Sequence, residues 1–178
     1  MSYILNLNYD FKIETDLFQL KLSRGRERDG RVSQTLGHVE IFFPTDFEFD
    51  TRERLMWANK VVAEVIRKHA NIILKGRTEV IAAAQGVDIN RLTVKNIVTR
   101  WGSSSSLGNI NLSLWLLLLP SHLVDYIIIH ELAHQVELNH SERFWAQVDK
   151  MLRQGPGAAK RLDQEVNDYA KSITWIRV

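Results

Sequence analysis

Two histidines four residues apart enclose a glutamate in the run His130-Glu131-Leu132-Ala133-His134. On a helix, four residues make one turn plus about 40° and about 6 Å of rise. Both imidazoles can therefore reach one ion at the ~2.1 Å typical of zinc–nitrogen bonds. Glu131, one position past the first histidine, can reach water at the ion without itself occupying the ion. The chemistry such a set performs is hydrolysis, in which the ion acidifies water and the carboxylate takes its proton.

A catalytic zinc usually takes three protein ligands. His140 lies six residues beyond His134, and on an unbroken helix it would point about 240° away. It can return only if the helix ends between them. Leu138-Asn139 suits such an end, because asparagine tolerates the left-handed backbone that terminates helices. Ser141 then caps the next helix and leaves His140 in the corner. Glu142, on that next helix, is the alternative third ligand, and His140 is preferred.

The elements that must position these groups follow from periodicity. Tyr3 to Tyr9, Phe18 to Leu22 and His38 to Phe43 alternate apolar and polar residues and read as strands, with turns between Ser23 and Gly30. Pro44 closes the third strand. Asp50 and Thr51 are N-cap candidates for a helix from about Arg52 to Ile73. Its apolar stripe includes Leu55, Ala58, Val62, Val65, Ile66 and Ile72. A short second helix, about Thr78 to Gln85, stops at Gly86. Leu92 to Val98 and Asn109 to Trp115 read as strands flanking a hairpin-like loop. Pro120 and Ser121 open the motif helix, which runs to about Leu138; Ile127, Ile128 and Ile129 make it half-buried. Further helices follow Ser141, to about Gln154, and Gly157. The predicted fold is α+β: a small, mainly antiparallel sheet packed on the motif helix, with additional C-terminal helices. Residues 1–178 read as one domain, with a strand-rich part to about residue 50 and a helical, active-site part beyond it.

Beside this reading stands a resemblance. His130-Glu-Leu-Ala-His, Asn139-His-Ser and Phe144-Trp145 resemble the signature of the YgjP-like metallopeptidases, which are zincin-like, metal-dependent hydrolases distantly related to the SprT and WLM groups. Arg100-Trp-Gly-Ser-Ser-Ser resembles a second family motif, with Ser104 where cysteine is usual. Leu116 to Pro120, followed by Asp125-Tyr126, also matches. The resemblance is specific from about Ile97 to Trp145. It implies zinc at His130, His134 and His140 and a catalytic carboxylate at Glu131. Ser104 removes any thiol-dependent role of its loop.

Composition narrows the remaining options. The 178 residues include no cysteine, so disulfides, cysteine-ligated zinc and cysteine nucleophiles are excluded. A net charge of +2 does not announce a nucleic-acid or membrane partner. Met1 to Leu5 lacks a basic n-region, so no signal peptide is read. The longest apolar run, Leu112 to Leu119, is far short of the ~20 residues that span a bilayer. A cytoplasmic protein is expected.

Other residues weigh less. His38, His69 and His122 read as partnered or exposed histidines. Arg100 and Trp101 could line a cleft, with Arg100 stabilising an oxyanion, or could serve structure alone. Tyr126 reads as core packing rather than a catalytic phenol, and Glu137 as a solvated residue rather than an imidazole-orienting carboxylate. Lys21, Arg24, Arg26, Arg28 and Arg31, interrupted by Glu27 and Asp29, read as a solvated hairpin tip rather than a phosphate site. The main reading is a zinc metallopeptidase acting on a peptide or protein, with an extended substrate pairing along Asn109 to Leu114. The alternative is a zinc-stabilised, non-catalytic interaction module, nucleic-acid associated. An amidase on a non-peptide substrate would share the same site.

Overall fold

The alternation of the first half becomes strands in the computed structural model, which describes residues 4–173 and 176–177. Tyr3, at the start of the first predicted strand, lies outside the described residues. β1 (Ile4–Leu5) is short, and β2 (Lys12–Glu14), β3 (Gln19–Arg24), β4 (Arg31–Thr35) and β5 (His38–Phe43) form a sheet in the order β2-β3-β5-β4. β2 and β4 pair antiparallel with their neighbours, whereas β3 and β5 run parallel. Leu20, Leu22, Val39, Ile41 and Phe43 turn into the core, and β4 is exposed along its whole length.

The helix predicted in two pieces is one. α1 (Arg52–Gln85) runs unbroken through Lys75-Gly76, its N-cap Thr51 accepting the Arg54 N–H and its C-cap Gly86 at φ 65°. Gly76 weakens a helix by about 1 kcal/mol relative to alanine. The buried stripe of Ala58, Val62, Ile66, Ala70, Leu74 and Ala82 outweighs that. Thr78 is buried and donates its hydroxyl back to the Leu74 carbonyl at 2.6 Å, so it continues the helix rather than starting another.

The second sheet also differs from expectation. β6 (Arg91–Lys95), β7 (Gly102–Ser104) and β8 (Asn109–Ser113) lie in the order β6-β8-β7, with β6 and β8 parallel and β7 antiparallel to β8. Ser113 enforces this. Its N–H donates to the Trp101 carbonyl at 2.8 Å and its hydroxyl donates to the Ile97 carbonyl, folding the loop after β6 back along β8. β8 is thus the central strand, not a free edge.

A 3-10 helix, Leu114–Leu118, carries the apolar run into the interior. α2 (Ser121–Ala133) follows and is enclosed by the core: Leu123, Val124, Ile128 and Leu132 are all fully buried. Burying each such side chain contributes about 1.5–3 kcal/mol. Asp16 accepts the Ser121 N–H at 2.9 Å, and Arg77 of α1 grips Asp125 with two N–H groups. α2 is therefore fixed along its length before the motif begins. α3 (Glu142–Leu152), α4 (Ala158–Ser172) and β9 (Ile176–Arg177) complete the chain, with β9 antiparallel to β1. No helix among the described residues is long and apolar enough to cross a membrane.

His69 ties α1 to the first sheet. Its Nδ1 accepts the Gly37 N–H at 3.2 Å, its Nε2 meets Gln34 Oε1 at 3.0 Å, and burial holds its pKa below the ordinary 6.5. The folded protein thus binds fewer protons than the unfolded chain below pH 6.5, so this stabilisation is complete above that value and lost as pH falls. His69→Gln should lower the melting temperature most at pH 7.5, with the gap to the parent closing towards pH 5. A gap independent of pH would contradict the assignment.

Candidate metal centre

α2 stops at Ala133, earlier than the predicted Leu138, and His134 is its C-cap. The N–H groups of Gln135, Val136 and Glu137 bond to the Leu132 and Ala133 carbonyls in tight turns. Asn139 does not adopt the left-handed backbone predicted for it; among the described residues Arg153 is the one non-glycine with positive φ. The corner is made instead by His134, whose Nδ1 bonds the Glu137 carbonyl at 3.2 Å, and by Ser141, whose N–H donates to the Asn139 carbonyl at 2.7 Å. Ser141 then caps α3 by accepting the Phe144 N–H, as predicted.

This geometry brings the three histidines together. One potential ligand atom from each of His130, His134 and His140 lies within 4.8 Å of the others, and the Nε2 atoms of His130 and His140 are 3.0 Å apart. Phe144, fully buried, is their common floor: its ring centroid is 4.5 Å from that of His134 in a stack, and 4.8 and 4.7 Å from those of His130 and His140 edge-on. Trp145 flanks His130 and His140.

The protonation pattern suits a cation. His134 is donor to the Glu137 carbonyl at Nδ1, and His130 Nδ1 faces the Tyr126 hydroxyl at 3.4 Å. With those nitrogens occupied, the Nε2 lone pairs are left for an ion. Burial, then the neighbouring charges of His134 and His140, push the His130 pKa down to about 3; burial also lowers that of His134. His140 is exposed, and the two ring nitrogens 3.0 Å apart can share one N–H proton or face a common metal. The donor set fits a divalent metal.

Glu131 lies beside this cluster, 6% exposed. Burial raises its pKa to about 7, against the opposing charge of Arg100, and its Oε2 has no hydrogen-bond partner among the described residues. Gly102 of β7 presses on the same carboxylate. A Cβ on Gly102 would fall 2.6 Å from Glu131 Oε1 and 2.7 Å from its Cγ, closer than side chains tolerate. A buried carboxyl with an unpartnered oxygen is poised to exchange a proton with whatever occupies the adjacent space.

The remaining candidates fall outside the cluster. Glu142, the alternative ligand, is exposed and pairs with Lys160 at 3.0 Å. His38 is exposed, and His122 contacts Glu165 at 2.7 Å. Arg100 is exposed, while Trp101 packs partly buried against the core. Glu137 acts through its backbone carbonyl, not through its carboxylate. Ser104 accepts a hydrogen bond from Gln135 at 2.6 Å, joining β7 to the turn after the motif. In the basic stretch, Lys21 pairs with Glu40, Arg24 pairs with Glu48 and covers the Tyr9 ring, and Arg31 covers the Phe42 ring. Sequence reasoning missed the steric role of Gly102, the floor formed by Phe144 and the contact of Asp163 with Tyr126. The Arg-Trp-Gly run was the one signal pointing to Gly102.

A family model described as YgjP-like, metallopeptidase domain, matches residues 18–165. Comparison with curated proteins gave no match. Among solved structures, the metallopeptidase zymogen of Pyrococcus abyssi abylysin is 23% identical over 59% of this chain and 99% of that one, with a TM-score of 0.47.

Proposed function

The chain belongs to the YgjP-like metallopeptidase family, and from that premise we propose that it is a zinc-dependent peptidase in which His130, His134 and His140 hold the metal and Glu131 is the general base. The observation that carries this reading is the convergence of three imidazole nitrogens beside a buried carboxylate whose Oε2 has no hydrogen-bond partner among the described residues. Zinc, when bound, supplies the Lewis acidity that lowers the pKa of water towards ~7 and polarises a substrate carbonyl.

Glu131 does the proton work. A base is most effective when its pKa lies near the working pH, and burial has raised this one to about 7. It takes a proton at Oε2 and returns it to the leaving amine. The absence of a side chain at Gly102 keeps the carboxylate in place. Phe144 seals the side away from solvent, which strengthens the electrostatics of the site. An extended peptide pairs not along Asn109 to Leu114, which is sheltered between β6 and β7, but along the outer edge of β7 next to Glu131. Residues 1–178 act as one unit, because the core that seats α2 draws on side chains from Leu5 to Val166.

A structural zinc is closed by four protein ligands, whereas the cluster found among the described residues offers three. That favours turnover over a static interaction module. The test is metal content and activity together. The purified protein should carry about one zinc per chain and cleave members of a broad peptide library. A chelator should abolish cleavage and added zinc should restore it. Cleavage that survives complete removal of metal would refute the proposal.

A further inference from the structure

Tyr126 is fully buried, one helical turn before His130, and its hydroxyl has two neighbours. It donates to Asp163 Oδ1 of α4 at 3.0 Å and lies 3.4 Å from His130 Nδ1. A phenol has one proton. Once that is given to Asp163, the oxygen can only accept from His130, so His130 must carry its proton on Nδ1 and present Nε2 bare. The placement of Asp163 is itself built. Asp149 of α3 accepts the N–H groups of Gly157 and Ala159, each at 2.7 Å, and so fixes where α4 begins. Asn167 donates to the other oxygen of Asp163 at 3.3 Å.

We infer that Tyr126 and Asp163 are positioning residues, forming a carboxylate–phenol–imidazole relay that sets the tautomer and orientation of His130 and tightens its hold on the metal. The inference rests on the metal-centre reading above. Groups that hold the far nitrogen of a ligating histidine raise its basicity, and their loss typically weakens metal binding 10–100-fold. Phe144 cannot substitute for the relay: it packs against the His130 ring edge-on but offers no acceptor to Nδ1.

The experiment measures the zinc dissociation constant of the parent, Tyr126→Phe, Asp163→Asn, the double variant and His134→Ala by competition with a chromophoric chelator. Melting temperatures of the metal-free proteins and visible spectra of their cobalt(II) forms are recorded alongside. Tyr126→Phe should bind zinc roughly 10–100-fold more weakly, with altered cobalt bands. Asp163→Asn should weaken binding in the same direction, and the double variant should be no worse than Tyr126→Phe, because the two act in series. A variant with a lower metal-free melting temperature but parental zinc affinity and cobalt spectrum would show a purely structural role and overturn the relay. Should Tyr126→Phe fail to fold, Asp163→Asn decides on the same readings. If the parent itself binds no zinc, the metal-centre reading fails and the relay with it. If the parent binds and His134→Ala does not, a parental affinity in Tyr126→Phe sinks the relay alone.

Discussion

Glu131→Gln should retain its zinc and lose peptide hydrolysis by about 10²–10⁴-fold in kcat. The amide keeps the size and burial of the carboxylate but cannot accept a proton, so substrate binding should change little. The same substitution has a stability signature in the metal-free protein. The folded-state pKa of Glu131, about 7, lies above the ordinary 4.5 because burial disfavours the charge. The folded form therefore holds a proton that the unfolded chain releases, and the parent is destabilised as pH rises through this window. Metal-free Glu131→Gln should thus melt above the parent at pH 8, and the advantage should vanish by pH 5. Parental turnover in this variant would remove Glu131 as the base. An advantage of equal size at both pH values would show that folding does not raise the pKa of Glu131.

Gly102→Ala should cost roughly 10²-fold in kcat, because displacement of a catalytic group by about 1 Å is enough for such a loss. The new methyl would sit 2.6 Å from Glu131 Oε1 and 2.8 Å from its Cδ. Either the carboxylate swings out of its slot or β7 retreats from α2, and both move the base relative to the imidazoles. Zinc content should not change, since the three atoms nearest to such a Cβ all belong to Glu131 and not to a histidine. Gly76→Ala is the control. Beyond its chain neighbours and the helix's own backbone, no atom of the described residues lies within 4 Å of a Cβ at Gly76, in the middle of α1, so that change should leave kcat alone and raise the melting temperature slightly. Undiminished kcat in Gly102→Ala would mean that the carboxylate has other room.

The parts of the site written in local spacing were readable in the sequence. His130, Glu131 and His134 need one helical turn, and His140 needs a corner; both requirements can be counted along the chain. How the corner forms could not be counted. It depends on the His134 ring reaching the Glu137 carbonyl, a contact that replaces the left-handed asparagine expected at Asn139. Gly102 and Asp163 face partners far away in sequence, so the Arg-Trp-Gly run could mark the glycine but not what it meets, and nothing local marks the aspartate. In the fold, alternation located β3 and β5 but could not show that they run parallel, because period two is the same for either direction. For the same reason the pattern reads β6 and β8 as flanks of a hairpin-like loop, although they run parallel. Local pattern ends one helix near Ile73 and begins another near Thr78, whereas the buried stripe that carries α1 through without a break is a tertiary fact.

The convergence of three imidazoles on one cation is open to direct observation by zinc K-edge X-ray absorption on the metal-loaded protein. Three imidazole nitrogens and one water or hydroxide oxygen are predicted in the first shell at about 2.0–2.1 Å, with the imidazole count, read from scattering by the outer ring atoms, falling to two in His140→Ala. A spectrum with two imidazoles in the parent, unchanged when His140 is removed, would contradict the assignment of the metal site.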